Sequence, residues 1–139
     1  MAWNNRVAVL GDITGDIYYD VLQIASQPVP FLRVYMMINE TREAKEVRGL
    51  RIVFYGVQAE LAEAHLRTGS RILVQGHIQL RKGKKEVIVA EVVAEHIIYI
   101  RNFDQEKGNR RLKELKAAGK IQPGIEERLD IPEFVEAIP

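Results

Sequence analysis

Arg33 and Tyr35 lie two residues apart in one alternating segment, Arg51 and Tyr55 share the alternation of another, and Arg81, Lys82, Lys84 and Lys85 surround Gly83 in a third. These residue types suit a chain of unpaired nucleotides. Each base offers a π face on which an aromatic ring can stack, and each phosphodiester carries a charge that Lys or Arg neutralises. Residues i, i+2 and i+4 of a strand line one face, so each arginine stands on the same face as its tyrosine. Gln75 and His77 occupy the polar face of a further alternating segment and join the candidate contacts. The same half-polar faces could instead meet a second copy of the chain. The glycine-centred turn could equally be a solvated hairpin.

Catalytic chemistry finds little support. His65, His77 and His96 have no metal-ligand spacing, and there is no cysteine. A phosphate-cradling glycine-rich loop, a nucleophile motif and a metalloprotease histidine pair are all missing from the sequence. Glu91 and Glu95 share a strand face, but paired carboxylates need a cleft to do acid–base work. The expectation is a non-enzyme with no cofactor and no metal.

The elements that must position these residues read as follows. Arg6 to Leu10 is a strand, interrupted by Gly11, Asp12, Thr14, Gly15 and Asp16 and continued from Ile17 to Ile24. Pro28 and Pro30 bracket a loop. Phe31 to Asn39 then alternates, with Leu32, Val34, Met36 and Ile38 facing the core and Phe31, Arg33, Tyr35, Met37 and Asn39 facing out. Glu40 to Gly49 is charged and unpatterned, the signature of a hairpin arm or loop. Leu50 to Gly56 alternates again, and Val57 to Arg67 has helical spacing, with Gly69 placed to end the helix. Ser70 to Leu80 returns to period two, the basic turn follows, and an apolar run from Val87 to Ile100 forms the last long strand. Leu112 and Leu115 mark a helix near 104–118, stopped by Gly119.

Strand, helix, turn and strand in succession over Arg51 to Leu80 mark the centre of an OB-fold, a small Greek-key barrel plugged by a helix between its third and fourth strands. The predicted fold is therefore mainly β: a five-stranded barrel with that helix, plus a C-terminal helix and an extended tail. Residues 1–102 form the barrel domain and residues 103–139 the helix and acidic tail. With 139 residues, 47% hydrophobic and 28% charged, the chain suits one globular unit, and no apolar run is long enough to span a bilayer. The opening residues carry no export signal, so the cytoplasm is the expected location. The net charge of +1 is unevenly spread: residues 104–120 carry +3 and residues 121–139 carry −4. Such asymmetry fits nucleic-acid contact combined with an acidic tail, or simply a solvated helix and tail.

Asn5–Gly11 (NRVAVLG), Arg51–Gly56 (RIVFYG), Leu61–Glu63 (LAE), His65–Gly76 (HLRTGSRILVQG) and Glu91–Glu95 (EVVAE) together resemble bacterial single-stranded-DNA-binding proteins, over roughly Asn5 to Ile100. The resemblance implies an OB-fold that assembles as dimers or tetramers and binds single strands without catalysis, in replication, recombination or repair. It matches Tyr55 to the family's stacking aromatic and Arg51 to a basic residue on the same face. Tryptophans that the family carries are replaced here near Arg42, at Gly49 and at Gly83. Tyr18, Tyr19 and Phe31 are the available substitutes. The family's tail docks replication or repair proteins, and the segment Asp130–Phe134 (DIPEF) echoes its acidic tip. The competing expectation is an OB-fold protein-interaction or primosome-accessory module with weak or no DNA binding.

Overall fold

The computed structural model describes residues 4–38 and 49–121. Most of the arm expected at Glu40 to Gly49, together with Trp3 and the acidic segment after Ile121, lies outside them. The elements are β1 (Val7–Ile24), β2 (Gln27–Met37), β3 (Leu50–Tyr55), α1 (Val57–His65), β4 (Arg71–Lys82), β5 (Ile88–Arg101) and α2 (Gln105–Ala117). The five strands close into a barrel in the order β1-β2-β3-β5-β4. All neighbouring pairs are antiparallel except β3 and β5, which pair in parallel at Ile52 opposite Val92. This is the expected OB-fold, with its helix between β3 and β4.

Leu32, Val34, Met36, Ile52, Phe54, Ile72, Val74 and Ile97 are fully buried inside the barrel. Their alternation along four strands closes one apolar interior, at about 25 cal/mol for each Å² of apolar surface removed from water. Gly76 allows β4 and β5 to approach: a Cβ built there would stand 1.9 Å from the Val93 carbonyl oxygen. A shift in pairing register falls beside it, between Gln75 and Gly76.

The ends of the expected strands differ in informative ways. The break near Gly15 is a bulge within one 18-residue strand, with the register shifting between Thr14 and Tyr18 and Gly15 at φ 70°. Pro28 and Pro30 lie inside β2, opposite Gln23 and Val21. They are tolerated because β3 pairs with β2 only from Phe31 onward, which leaves that edge open and needing no amide donor. The reversal is made by Ala25 and Ser26, both at positive φ, without the Asn-Gly signal usual for such turns. Ile38 is exposed because it lies past the barrel rim, whereas Phe31 is buried on the outward face by aromatic neighbours. The helix α1 ends at His65, with Leu66 as its C-cap in extended conformation; Gly69, at φ 93°, serves the turn into β4.

The C-terminal helix forms nearly where its pattern predicted. The Asp104 carboxylate accepts from the Lys107 amide at 3.0 Å, an N-cap, and Gly119 at φ 73° ends the last turn. It packs along α1 through Leu115, Leu112 and Ile121 against Leu61 and Val57. Arg111 and Lys107 reach Glu63, at 3.0 and 3.8 Å, and Lys120 reaches Glu60 at 3.9 Å.

His65 is covered where α1 meets β5 and α2. Its ring stacks on Tyr99 at 4.3 Å and abuts Gly108, and its Nδ1 lies 2.7 Å from the Leu61 carbonyl, so that nitrogen carries the proton and donates. Burial pushes the imidazole below its ordinary range, against smaller opposing contributions from the Leu61 hydrogen bond and Asp104. The unfolded chain takes up a proton near pH 6.5 while the folded imidazole stays neutral. Stability is therefore expected to fall as pH drops below about 6.5, and to level off once the folded imidazole is itself protonated. Thermal unfolding of His65→Gln measured across that window should show a shallower pH dependence than the parent chain.

Candidate nucleic-acid interface

The outward residues of β2 and β3 meet in register: Phe31 stands opposite Tyr55, Arg33 opposite Val53 and Tyr35 opposite Arg51. β1 extends the face by placing Tyr18 opposite Arg33. The side chains interlock. Tyr18 meets the Phe31 ring edge-on at 6.3 Å, and Phe31 meets Tyr55 at 5.3 Å. The Arg33 guanidinium lies 4.8 Å from the centre of the Tyr18 ring and 5.8 Å from that of Tyr35. Such contacts hold an arginine by the ring quadrupole and stiffen it. The Tyr18 hydroxyl donates to Asp20 at 3.0 Å, which pushes that phenol above its ordinary range.

Phe31 is a buried keel, and Tyr18, at 42% exposure, offers its ring to solvent beside Tyr55. Tyr19 points the other way, toward Glu60, Glu63 and Arg111 on the paired helices, and burial foremost raises its phenol.

The face continues across β5 onto β4, where His77 stands opposite Val93 and Gln79 opposite Glu91. The structure departs here from an open basic surface. Glu91 is 1% exposed, with Arg51 Nε at 2.7 Å and Arg81 Nε at 3.2 Å from its Oε2. The Arg51 N–H does not point along that line, so its contact is an ion pair rather than a directed hydrogen bond. Arg51 is therefore mostly covered, at 17% side-chain exposure, and not the free surface cation its alternation suggested. His77 Nδ1 lies 2.6 Å from the exposed Glu95 carboxylate. Gln75 is set apart, lining a shallow depression with Asn5, Arg6, Ala8, Glu95 and His96.

Beyond the barrel, β4 and β5 run on as a two-stranded arm, since β1 pairs with β4 only as far as Gly76. Lys84 to Glu86 form a short 3-10 turn at its tip, with Lys85 at φ 60°. Lys82, Lys84 and Lys85 are exposed there, and no ion pair binds them among the described residues. The ten candidate residues thus divide into a β2–β3 cluster, an arginine pair on Glu91, a free basic tip, and the separate His77 and Gln75. Sequence reasoning missed the role of Glu91. Its one signal was a carboxylate flanked on both sides by apolar residues, Ile88 to Ala90 and Val92 to Ala94, a setting in which a charge needs partners if it is buried.

Among the described residues no group of acidic or histidine side chains is arranged to hold a metal ion, and no helix is long and apolar enough to cross a membrane. A closed OB barrel with an aromatic and basic outer face defines a domain of the single-strand-binding type. The family model described as the single-strand binding protein family matches residues 4–111, and the chain belongs to that family. Two solved structures share the fold. The SSB domain of a Synechococcus sp. protein is 13% identical with a TM-score of 0.55, the match covering 70% of this chain and 97% of that one. The dimeric N-terminal domain of a PriB protein from Thermoanaerobacter tencongensis is 15% identical with a TM-score of 0.52, covering 72% and 100%.

Proposed function

We propose that the chain binds single-stranded DNA without catalysis, through the outer face of β1, β2 and β3 and the basic arm of β4 and β5. The observation that carries this is the interlocked array of Tyr18, Phe31, Tyr55, Arg33 and Tyr35 on one face. Bases stack on Tyr18, Tyr55 and Tyr35, while phosphates are neutralised by Arg33, Arg51, Arg81, Lys82, Lys84 and Lys85. Gln75 and His77 border this path. Replication, recombination and repair expose such strands in the cytoplasm. A dimer or tetramer would join several faces into one longer site, and the acidic tail would be left to dock replication or repair proteins.

The test is fluorescence anisotropy of a labelled oligothymidylate of about 35 nucleotides, with a duplex control, at about 50 and 200 mM salt. Six cations offset by Glu91 should give a log–log salt slope of roughly −3 to −4, or about a hundredfold loss across that range. A slope near zero, or equal affinity for duplex, would remove the reading.

A second reading has its own observation. Ile78, Leu80, Val87 and Ile88 are each exposed on the β4–β5 arm or its tip, and exposed apolar side chains gathered on one element favour protein contact. An OB-fold protein-interaction or primosome-accessory module would use that arm and bind oligonucleotide weakly or not at all in the same measurement.

A further inference from the structure

We propose that Arg51, Glu91 and Arg81 form a clamp for one phosphodiester of the bound strand, with Glu91 as its positioning residue; this rests on the strand-binding reading above. A carboxylate 1% exposed on the strand-binding face runs against simple neutralisation, because it cancels one of the charges that would attract the ligand. Burying it is costly unless its oxygens are paired, and the pairing is complete. Oε2 takes Arg51 from β3 and Arg81 from β4, while Oε1 accepts from the Gln79 amide at 3.2 Å.

Structural repair of a buried charge would need one arginine, yet two converge from strands on either side of β5. Both approach with Nε. Among the described residues, the terminal nitrogens of neither guanidinium make a hydrogen bond. These are the groups that grip phosphate oxygens in pairs, a geometry that lysine cannot supply. The triad keeps a net charge of +1, and Arg51 stands opposite Tyr35 in register. A phosphodiester held here would lie between the stacked bases and the lysines of the arm. Glu91 exchanges one unit of attraction for two arginines fixed in place before the strand arrives.

The idea makes an unusual sign prediction for the full-length chain and labelled oligothymidylate. Glu91→Gln adds a net positive charge, so a face working by neutralisation alone would bind more tightly and with a steeper salt slope. The clamp requires the opposite: affinity reduced by about tenfold and a shallower slope. Arg81→Lys, at a residue exposed enough to leave the barrel intact, keeps the charge and loses the fork; it should also weaken binding severalfold at an unchanged unfolding midpoint. Should Glu91→Gln fail to fold, Arg81→Lys decides the matter alone. Binding by either folded variant that equals or exceeds the parent overturns the clamp while leaving strand binding intact. A parent chain that does not bind overturns the strand-binding reading and the clamp with it.

Discussion

Alanine at both Tyr18 and Tyr55 is expected to lower the affinity for oligothymidylate by roughly 30- to 25,000-fold, because each stacked base is worth about 1 to 3 kcal/mol. The two rings flank Phe31 from opposite sides, at 6.3 and 5.3 Å, so each presents a separate platform. Phe31 itself is 9% exposed and serves to space them. Tyr55→Ala alone should cost about 5- to 160-fold on the same basis. The salt slope should change little, since no cation is removed; Arg33 loses the Tyr18 ring beneath it but keeps Tyr35. Anisotropy titrations at two salt concentrations, with unfolding midpoints as controls, read both quantities. A double variant within about threefold of the parent would show that bases do not stack on this face.

The second large effect concerns the barrel itself. Gly76→Ala should destabilise the protein by about 3 kcal/mol or more, lowering the thermal midpoint by more than about 10 °C. The new Cβ would stand 1.9 Å from the Val93 carbonyl oxygen and 3.0 Å from its carbon, and both belong to a backbone held on two sides by hydrogen-bonded strands. Alanine ordinarily stabilises a strand relative to glycine by roughly 0.5 to 1 kcal/mol, so the predicted sign is opposite to intrinsic propensity. Gly15→Ala is the comparison. That glycine has φ 70° but nothing within 4 Å of its Cβ position, so only the left-handed backbone is penalised, at about 1 to 2 kcal/mol. Melting curves of the two variants separate close strand approach from backbone strain. Equal small shifts would mean that β4 and β5 can part at Gly76 without loss.

Local periodicity carried most of the fold. The alternation of Leu32, Val34 and Met36, of Ile52 and Phe54, and of Ile72 and Val74 becomes the barrel interior unchanged, because side chains on a pleated strand must point alternately in and out. The helix α2 was equally readable: Asp104, Leu112, Leu115 and Gly119 are a cap, an apolar stripe and a stop, all written within one local segment. The misreadings arise where a neighbour supplies the deciding term. Pro28 and Pro30 read as a loop because a strand interior normally needs their missing amide, and only the open edge of β2 removes that need. Ala25 and Ser26 carry no turn signal of their own; the pairing of β1 with β2 holds them at positive φ.

At the candidate site, period two alone puts Arg33 on one face with Tyr35 and Arg51 with Tyr55, whatever the barrel around them. Which cations of the site are free depends on contacts between distant strands. Arg51 is drawn down to Glu91, forty residues further along the chain, because β3 and β5 pair in parallel, while Lys82, Lys84 and Lys85 stay exposed on an arm that no other strand reaches. The pairing of β1 with β2 also decides that Tyr18, just past the bulge in β1, comes to lie beside Phe31. The orientation of a side chain follows from its own backbone, but its charge partners and its exposure depend on residues remote in sequence, brought within a few ångströms only by closure of the barrel.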